Sequence, residues 1–384
     1  MPNSRLFLTF AALMAGIYVH IPFCKSRCVY CGFFSTTSLE KRALYVAKLV
    51  EELAERRDFL QGADIETIYF GGGTPSQLSV AELERLLSGI YSIYNVRANA
   101  EVTFEANPDD LNQPYLTSLR SLGINRLSIG VQTFDESRLR FLHRRHTAAQ
   151  AIRAVRDAQE AGFSNVSIDL MFGFPRQMLD EWKRDVQMAL SLQVQHLSAY
   201  ALMYEEGTPL ERMLASGEIE EVEEGVSLQM YEHLMDALES AGYRHYEISN
   251  FAQSGKESRH NSGYWRGVPY LGIGAGAHSY DGCRRYSHSD SLLDYLSGAP
   301  LAEERLTETE CYDEFVFTGL RTAEGIRLDE LQHRFGEGCL QYFMENARPH
   351  FEGGRLVCEG GSVRLSRQGL FVSNDVMSDL MWVE

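Results

Sequence analysis

The chain has 384 residues, a length that predicts two domains or one large domain with an appendage. Its composition is 44% hydrophobic, 11% aromatic and 23% charged, which is ordinary for a globular protein and argues against a disordered or collagen-like chain. The 36 Lys and Arg residues against 53 Asp and Glu residues give a formal net charge of −17, and this argues against broad nucleic-acid binding because phosphate backbones are repelled.

The first segment of the chain is apolar. Arg5 precedes an apolar run at 6–17 that faintly resembles a signal peptide, but no clean cleavage site precedes the motif that follows. Because a second methionine, Met14, stands directly before the first predicted strand, we expect 1–14 to be an extension from an upstream start site. No other stretch approaches the ~18 apolar residues that a membrane span needs, so we expect no transmembrane segment.

Apolar or β-branched runs alternate with helical patterns in the first half of the chain. The predicted strands are 16–23, 67–70, 101–105, 126–131, 166–172 and 196–200. Helical spacing is clearest at 43–54, with Ser38 as a candidate N-cap, and recurs at 148–161 and 180–192. This alternation predicts parallel strands in an α/β fold, and six units favour a partial (β/α)6 TIM-like barrel over a closed eight-unit barrel.

The pattern changes after the sixth unit. We predict that the barrel spans 15–242 and that 243–299, rich in Gly, Tyr and His, forms an irregular segment. Residues 300–384 are predicted to form a smaller C-terminal helical domain. Its helices, a hairpin near 353–365 and a final helix are similar to a winged-helix module.

A cysteine motif follows the first predicted strand. Cys24, Cys28 and Cys31 form a C-x3-C-x2-C run, whereas the other four of the seven cysteines are scattered. This is no disulfide framework and indicates a reducing compartment, so we expect the cytoplasm. Three thiolates on one loop can ligate three irons of a [4Fe–4S] cluster and leave the fourth iron open. Zinc is the competing interpretation, but no fourth ligand follows, since position 33 is Phe33.

Polar residues or glycines lie at the end of each later predicted strand. They are Gly71 to Gly73, Glu105, Gln132, Asp169 and Tyr200. In a β/α barrel the C-terminal strand ends converge on the active site, so the pattern indicates a site at that edge. The alternative is that polar residues simply begin the loops.

Together these motifs resemble the radical S-adenosylmethionine superfamily. YVHIPF before Cys24, GGGTP at 71–75, FEANP at 104–108, SIGVQ at 128–132 and IDLM at 168–171 are similar to its oxygen-independent coproporphyrinogen III oxidase-like group. The resemblance implies that the three cysteines hold a [4Fe–4S] cluster whose fourth iron binds S-adenosylmethionine. It further implies ligand contacts by Tyr18, Gly72, Gly73, Thr74, Glu105, Gln132, Arg144 and Asp169.

The implied contacts have physical reasons. Glycine admits close approach of the backbone, because it has no Cβ. Glu105 suits the cationic end of S-adenosylmethionine, Arg144 its carboxylate, and Asp169 its ribose hydroxyls.

Two departures distinguish this chain from the oxidases of the group. In the oxidases that this chain resembles, a further cysteine stands at the position of Phe33, and the N-terminal extension is longer. By contrast, His260-Asn261-Ser262-Gly263-Tyr264-Trp265 is similar to the H-N-x-x-Y-W signature of HemW-type haem chaperones. His260 is therefore a candidate axial ligand of haem, with Tyr264 and Trp265 as flat faces for a porphyrin. The alternative is that His260 is a loop hydrogen-bonder and Trp265 a core residue.

The resemblance thus implies a haem chaperone that delivers haem to acceptor haemoproteins. The alternative is an oxygen-independent coproporphyrinogen III oxidase, which decarboxylates propionates oxidatively to give protoporphyrinogen IX. A third possibility is a radical enzyme acting on another substrate. The sequence leaves open whether S-adenosylmethionine is cleaved, which haemoprotein accepts the haem, and the oligomeric state.

Overall fold

The computed structural model describes residues 14–382. Most of the expected start-site extension lies outside that range. Met14, which the sequence assigns to the extension, is the first residue of strand β1 (Met14–Ile21). Among the described residues, no helix has the length and apolar character needed to cross a membrane.

Six parallel strands alternate with helices in the first part of the chain, as predicted. In chain order the elements are β1, α1 (Arg42–Glu55), β2 (Asp64–Gly72), α2 (Val80–Ile93), β3 (Val96–Ala106), α3 (Gln113–Ser121), β4 (Arg126–Gln132), α4 (Glu136–Phe141), α5 (Ala148–Glu160), β5 (Val166–Phe172), α6 (Leu179–Ser191), β6 (His196–Ala201), α7 (Pro209–Ala215) and α8 (Glu224–Ser240). Each strand from β1 to β6 pairs in parallel with the next. The sheet does not close, so the partial barrel is confirmed.

Local signals set where the helices begin. The Ser79 side chain caps α2 by accepting from the backbone of Glu82, whose own side chain accepts from the backbone of Ser79. Ser38, the predicted N-cap of α1, makes no side-chain cap bond and instead precedes a short 3-10 turn at 39–41. Helix α1 therefore begins only at Arg42.

The segment 243–299 is regular rather than irregular, which corrects the sequence interpretation. It contains β7 (Arg244–Glu247), β8 (Asn250–Ala252), α9 (Arg259–Trp265), β9 (Tyr270–Ile273), β10 (His278–Tyr280), β11 (Arg284–Ser287) and α10 (Leu292–Ser297). Strands β8 and β7 extend the sheet beyond β6, while β9 pairs in parallel with β1 and is followed by β10, β11 and β12 (Ala302–Arg305). These strands are too short to show a period in the sequence.

The C-terminal part has an apolar core of its own, and the predicted smaller helical domain is confirmed. Its elements are α11 (Glu308–Leu320), β13 (Ile326–Arg327), α12 (Leu328–Glu352), β14 (Leu356–Glu359), β15 (Ser362–Leu365), α13 (Arg367–Phe371) and α14 (Ser373–Leu380). Helix α12 consists of two stretches that meet at Gly336. Strands β14 and β15 form the predicted hairpin, and β13 joins it. Val316, Leu331 and Phe343 are fully buried between these elements.

Alternation along the strands decides what faces the barrel interior. In β1, Ile17, Val19 and Ile21 are fully buried in the core that the helices cover. The residues between them point inward, where Tyr18 stacks on Tyr69 of β2 with 6.1 Å between ring centroids. The six strands thus enclose a lumen lined by polar and aromatic side chains.

Candidate functional site

The cysteine motif lies in the loop that leaves β1 at the mouth of the barrel. Cys24, Cys28 and Cys31 are free thiols and partly buried. The backbone N–H of Cys24 donates to the Thr36 carbonyl at 2.9 Å, which closes the loop at its base. Farther along, Val29 is 5% exposed and anchors the loop in a small apolar cluster. The loop therefore presents three sulfur donors on a fixed backbone.

These donors fit an iron–sulfur cluster better than a single metal ion. Within residues 14–382, no three His, Cys, Asp or Glu side chains are grouped closely enough to hold one ion. A mononuclear zinc site needs such convergence, whereas a [4Fe–4S] cluster takes one thiolate per iron. Three thiolates on one loop fit such a cluster, and its ligation by Cys24, Cys28 and Cys31 stays a prediction.

Polar groups surround the thiols. The Cys24 Sγ lies 3.2 Å from Thr74 Oγ1, and Arg144 Nη1 lies 3.5 Å from Cys28 Sγ. Burial raises the pKa of the Cys24 and Cys31 thiols, so they favour the protonated form without metal. Metal binding removes these protons, and the nearby guanidinium favours the resulting thiolates.

Two glycines at the end of β2, Gly72 within the strand and Gly73 directly after it, bring the chain close to the cysteine loop. A Cβ on Gly72 would lie 2.5 Å from the His20 ring, and the φ of Gly72 is +109°. A Cβ on Gly73 would lie 2.7 Å from the Pro22 carbonyl carbon, so backbone meets backbone there. Only glycine fits such positions. The expected close approach is thus present, while the contact of Gly72, Gly73 and Thr74 with S-adenosylmethionine stays a prediction.

Glu105 lies at the end of β3 with its carboxylate in the lumen. One oxygen accepts from Tyr69 Oη at 2.6 Å, and the other accepts from the Gly72 backbone N–H at 3.3 Å. The residue is partly buried, and desolvation of the carboxylate raises its pKa to about 7. A cationic ligand would supply the opposite charge that favours the ionised form.

Arg144 and Gln132 meet at the end of β4. Arg144 Nη2 donates to Asn107 Oδ1 at 2.7 Å and to the Gly130 carbonyl at 2.6 Å. Gln132 adopts a φ of +69°, and a Cβ on Gly130 would lie 2.9 Å from its Nε2. The structure therefore brings these two predicted residues together around Gly130, and Arg144 also reaches Cys28.

Asp169 of β5 faces the same lumen as Tyr18 and Glu105. Its two oxygens lie 3.3 and 3.4 Å from Ser128 Oγ, which donates to the carboxylate. Burial raises the pKa of Asp169, as it does for Glu105. The structure thus places two carboxylates inside the barrel, on either side of β4.

His260 lies inside the barrel, far from the cysteine loop. Its ring is 4% exposed, and its Nδ1 and Nε2 lie 2.8 Å from Thr67 Oγ1 and Tyr264 Oη. Burial lowers its pKa to about 3, which keeps the ring neutral. An axial bond to iron would require breaking one of these hydrogen bonds. The geometry favours the structural alternative, and haem ligation by His260 stays a prediction.

The other two residues of the motif also pack inward. Tyr264 meets the ring of Tyr270 edge-on at 4.7 Å between centroids. Trp265 is partly buried beneath the guanidinium of Arg321, which lies 4.8 Å from its ring. Trp265 therefore contacts the C-terminal domain, as its core alternative suggests, rather than forming an open face with Tyr264.

Sequence reasoning missed three lumen residues. Tyr69 donates to Glu105, His20 packs against Gly72, and the charge of Arg126 on β4 acts on both Glu105 and Asp169. Alternation along β1, β2 and β4 places all three on the inward face. That alternation was the available signal, but the surrounding apolar residues obscured it.

Comparisons with known proteins place this geometry in a family. The radical SAM superfamily profile matches residues 18–189, and the HemN C-terminal domain profile matches 306–372. The heme chaperone HemW of Lactococcus lactis is 38% identical over 326 residues, which cover 83% of this chain and 84% of that one. The heme chaperone HemW of Bacillus subtilis is 34% identical over 372 residues, covering 94% and 98%.

The chain belongs to the HemW family of radical SAM proteins. A bovine relative, radical S-adenosyl methionine domain-containing protein 1, mitochondrial, is 31% identical over 96% of this chain and 87% of that one. Membership confirms the resemblance that rests on the cysteine motif, and it implies a [4Fe–4S] cluster and S-adenosylmethionine.

The fold is also that of a solved structure. Coproporphyrinogen III oxidase (HemN) from Escherichia coli, described as a radical SAM enzyme, superimposes with a TM-score of 0.83 over 96% of this chain and 90% of that chain. The two sequences are 22% identical, so this likeness concerns the fold.

Proposed function

We propose that this protein is a haem chaperone that binds haem and delivers it to acceptor haemoproteins in the cytoplasm. It holds a [4Fe–4S] cluster on Cys24, Cys28 and Cys31 and S-adenosylmethionine in the barrel. The observation that carries the proposal is the similarity, over 94% of the chain, to a relative named heme chaperone HemW. The scattered free cysteines support a reducing compartment.

Phe33 favours haem transport over the oxidase alternative. The residue is 71% exposed and stands two positions after the third cysteine, Cys31. A phenyl ring neither ligates iron nor transfers a proton, so it cannot do what a cysteine would do there. It does offer an apolar face of the kind that a porphyrin plane packs against.

The chain's own residues have distinct tasks in this proposal. The cluster, when bound, supplies one-electron chemistry to the sulfonium ligand. Glu105 binds the cationic end of that ligand and Arg144 its carboxylate, while Asp169 accepts from ribose hydroxyls. The backbone at Gly72 and Gly73 follows the ligand closely. The remaining predicted contacts are Tyr18, Thr74 and Gln132.

The test compares haem binding with oxidase activity in anaerobically reconstituted protein. We expect a saturable haem absorption spectrum, transfer of the haem to an added apocytochrome, and no protoporphyrinogen from coproporphyrinogen with S-adenosylmethionine and a reductant. Formation of protoporphyrinogen without saturable haem binding would establish the oxidase instead.

The role of His260 needs a separate comparison. His260→Ala removes the candidate axial ligand, and His333→Ala, at an exposed position of α12, is the matched control. If His260 ligates haem, only His260→Ala changes the haem spectrum. An unchanged spectrum with a lower unfolding temperature would assign His260 to the barrel packing seen in the structure.

A further inference from the structure

Arg126 of β4 is a buried guanidinium without a hydrogen-bond partner among residues 14–382. The residue is 2% exposed, and its Nε is buried without a hydrogen bond. Within residues 14–382, no hydrogen bond or ion pair of this guanidinium is found. A buried cation of this kind costs free energy unless opposite charges lie within range.

The surroundings of Arg126 supply such charges at a distance. The charge of Arg126 shifts the pKa of six nearby groups, which are Glu105, Asp169, Tyr69, His196, Tyr246 and His260. Both histidines are neutral, since burial lowers their pKa and their ring nitrogens are hydrogen-bonded within the barrel. The two carboxylates are therefore its charge partners, and in a low-dielectric lumen this attraction extends beyond contact.

The tyrosines and Asp169 around Glu105 do not supply a positive charge to its carboxylate. Tyr69 donates to it, and Tyr18 and Tyr264 approach it from β1 and α9. Burial raises the pKa of all three tyrosines, so they stay neutral near pH 7. Asp169 is a like charge and opposes ionisation of Glu105, whereas Arg126 favours it.

We infer that Arg126 is a positioning residue of the lumen site: it is the counter-charge of Glu105 and, together with Arg144, of Asp169, and it decides whether these carboxylates hold a cationic ligand. The inference rests on the proposed binding of S-adenosylmethionine in the lumen. Arg126 favours the ionised carboxylates, but as a cation it also repels the ligand. Its removal therefore weakens binding at low pH, where the carboxylates become protonated, and not at high pH.

The test measures the affinity of reconstituted protein for S-adenosylmethionine from pH 6.5 to 9 by equilibrium dialysis. For Arg126→Met we expect the pH midpoint of binding to rise by about one unit, with roughly tenfold weaker binding at the acid end. At pH 9 the variant should match or exceed the unchanged protein. Arg126→Lys, which keeps the charge, should keep the midpoint.

Thr103→Val is the control for local repacking, because Thr103 is fully buried and is the register partner of Arg126 on β3. It should leave the midpoint unchanged. If Arg126→Met weakens binding equally at every pH, Arg126 contributes only to packing, and the inference is overturned. Absence of binding by the unchanged protein at every pH would overturn the lumen site itself, and the inference with it.

Discussion

Glu105 shows how one side chain links stability to ligand binding. Its carboxylate is oriented by Tyr69 and the Gly72 backbone, and burial raises its pKa from 4.5 to about 7. The folded protein therefore binds the proton more tightly than the unfolded chain does. Glu105 favours the folded state at low pH, and this contribution is lost as the pH rises from about 4.5 to about 7.

Glu105→Gln should consequently stabilise the ligand-free protein at pH 8 by up to about 3 kcal/mol, with little change at pH 4.5. The same variant should bind S-adenosylmethionine at least tenfold more weakly, because the cationic end loses its partner. Urea unfolding at the two pH values and equilibrium dialysis measure the two effects. Glu84→Gln, at an exposed position of α2, is the control and should change neither.

The three motif cysteines differ from the other four in their position. Replacing Cys24, Cys28 or Cys31 by Ala should abolish retention of iron and sulfide after anaerobic reconstitution, since each thiolate is predicted to ligate its own iron. Cys358→Ala, at an exposed position of β14, should retain both in full. Iron and acid-labile sulfide analysis decides the matter, and retention of zinc alone by the unchanged protein would contradict the cluster.

Among the elements, the junction of β2 with the cysteine loop has the tightest backbone contact of the site. Gly73→Ala would place a methyl group 2.7 Å from the Pro22 carbonyl carbon and 3.0 Å from the Ile21 carbonyl oxygen, so one of the two backbones has to shift. We expect a loss of about 1–3 kcal/mol in unfolding free energy and incomplete cluster retention, because the loop base is displaced.

Gly225→Ala provides the comparison for that substitution. Gly225 lies in α8 with nothing within 4 Å of an added Cβ, so alanine should stabilise the helix slightly and leave the cluster intact. Thermal unfolding together with iron analysis separates the two glycines. Normal iron content in Gly73→Ala would show that the loop does not depend on this contact.

The strands and loops of the barrel differ in how far they could be predicted from the sequence. The strand pattern and the cysteine loop could be predicted because their signals are local, and Val166–Phe172 was placed at its true limits. His260 was ambiguous because its partner Thr67 lies 193 residues away along the chain. Strands as short as β8 and β10 carry no periodicity, and the isolation of Arg126 depends on the groups that the folded barrel places around it.

At the scale of the whole molecule, Arg321 connects the C-terminal domain to the barrel sheet. Its Nη2 lies 3.7 Å from the fully buried Glu247 carboxylate of β7, and its guanidinium covers the Trp265 ring. The backbone N–H of Ile248 also donates to the Arg321 carbonyl at 3.0 Å. The domain is thus attached through a charge pair, a ring and a backbone bond.

Arg321→Ala should lower the unfolding free energy by about 3 kcal/mol, because Glu247 would remain buried without its partner. We further expect faster proteolytic cleavage between the barrel and α11. Arg348→Ala, at an exposed position of α12, should leave both unchanged. Urea unfolding and limited proteolysis measure these effects, and an unaltered proteolysis rate would show that other contacts suffice for docking.

Helix α9 fills the end of the lumen opposite the cysteine loop. A Cβ on Gly16, early in β1, would lie 3.1 Å from the His260 ring, so that end is plugged. The open end of the lumen is therefore the end at the cysteine loop, which carries the exposed Phe33. For the proposed function we therefore expect an order of loading, in which S-adenosylmethionine enters the lumen before haem packs on Phe33 and leaves it after the haem.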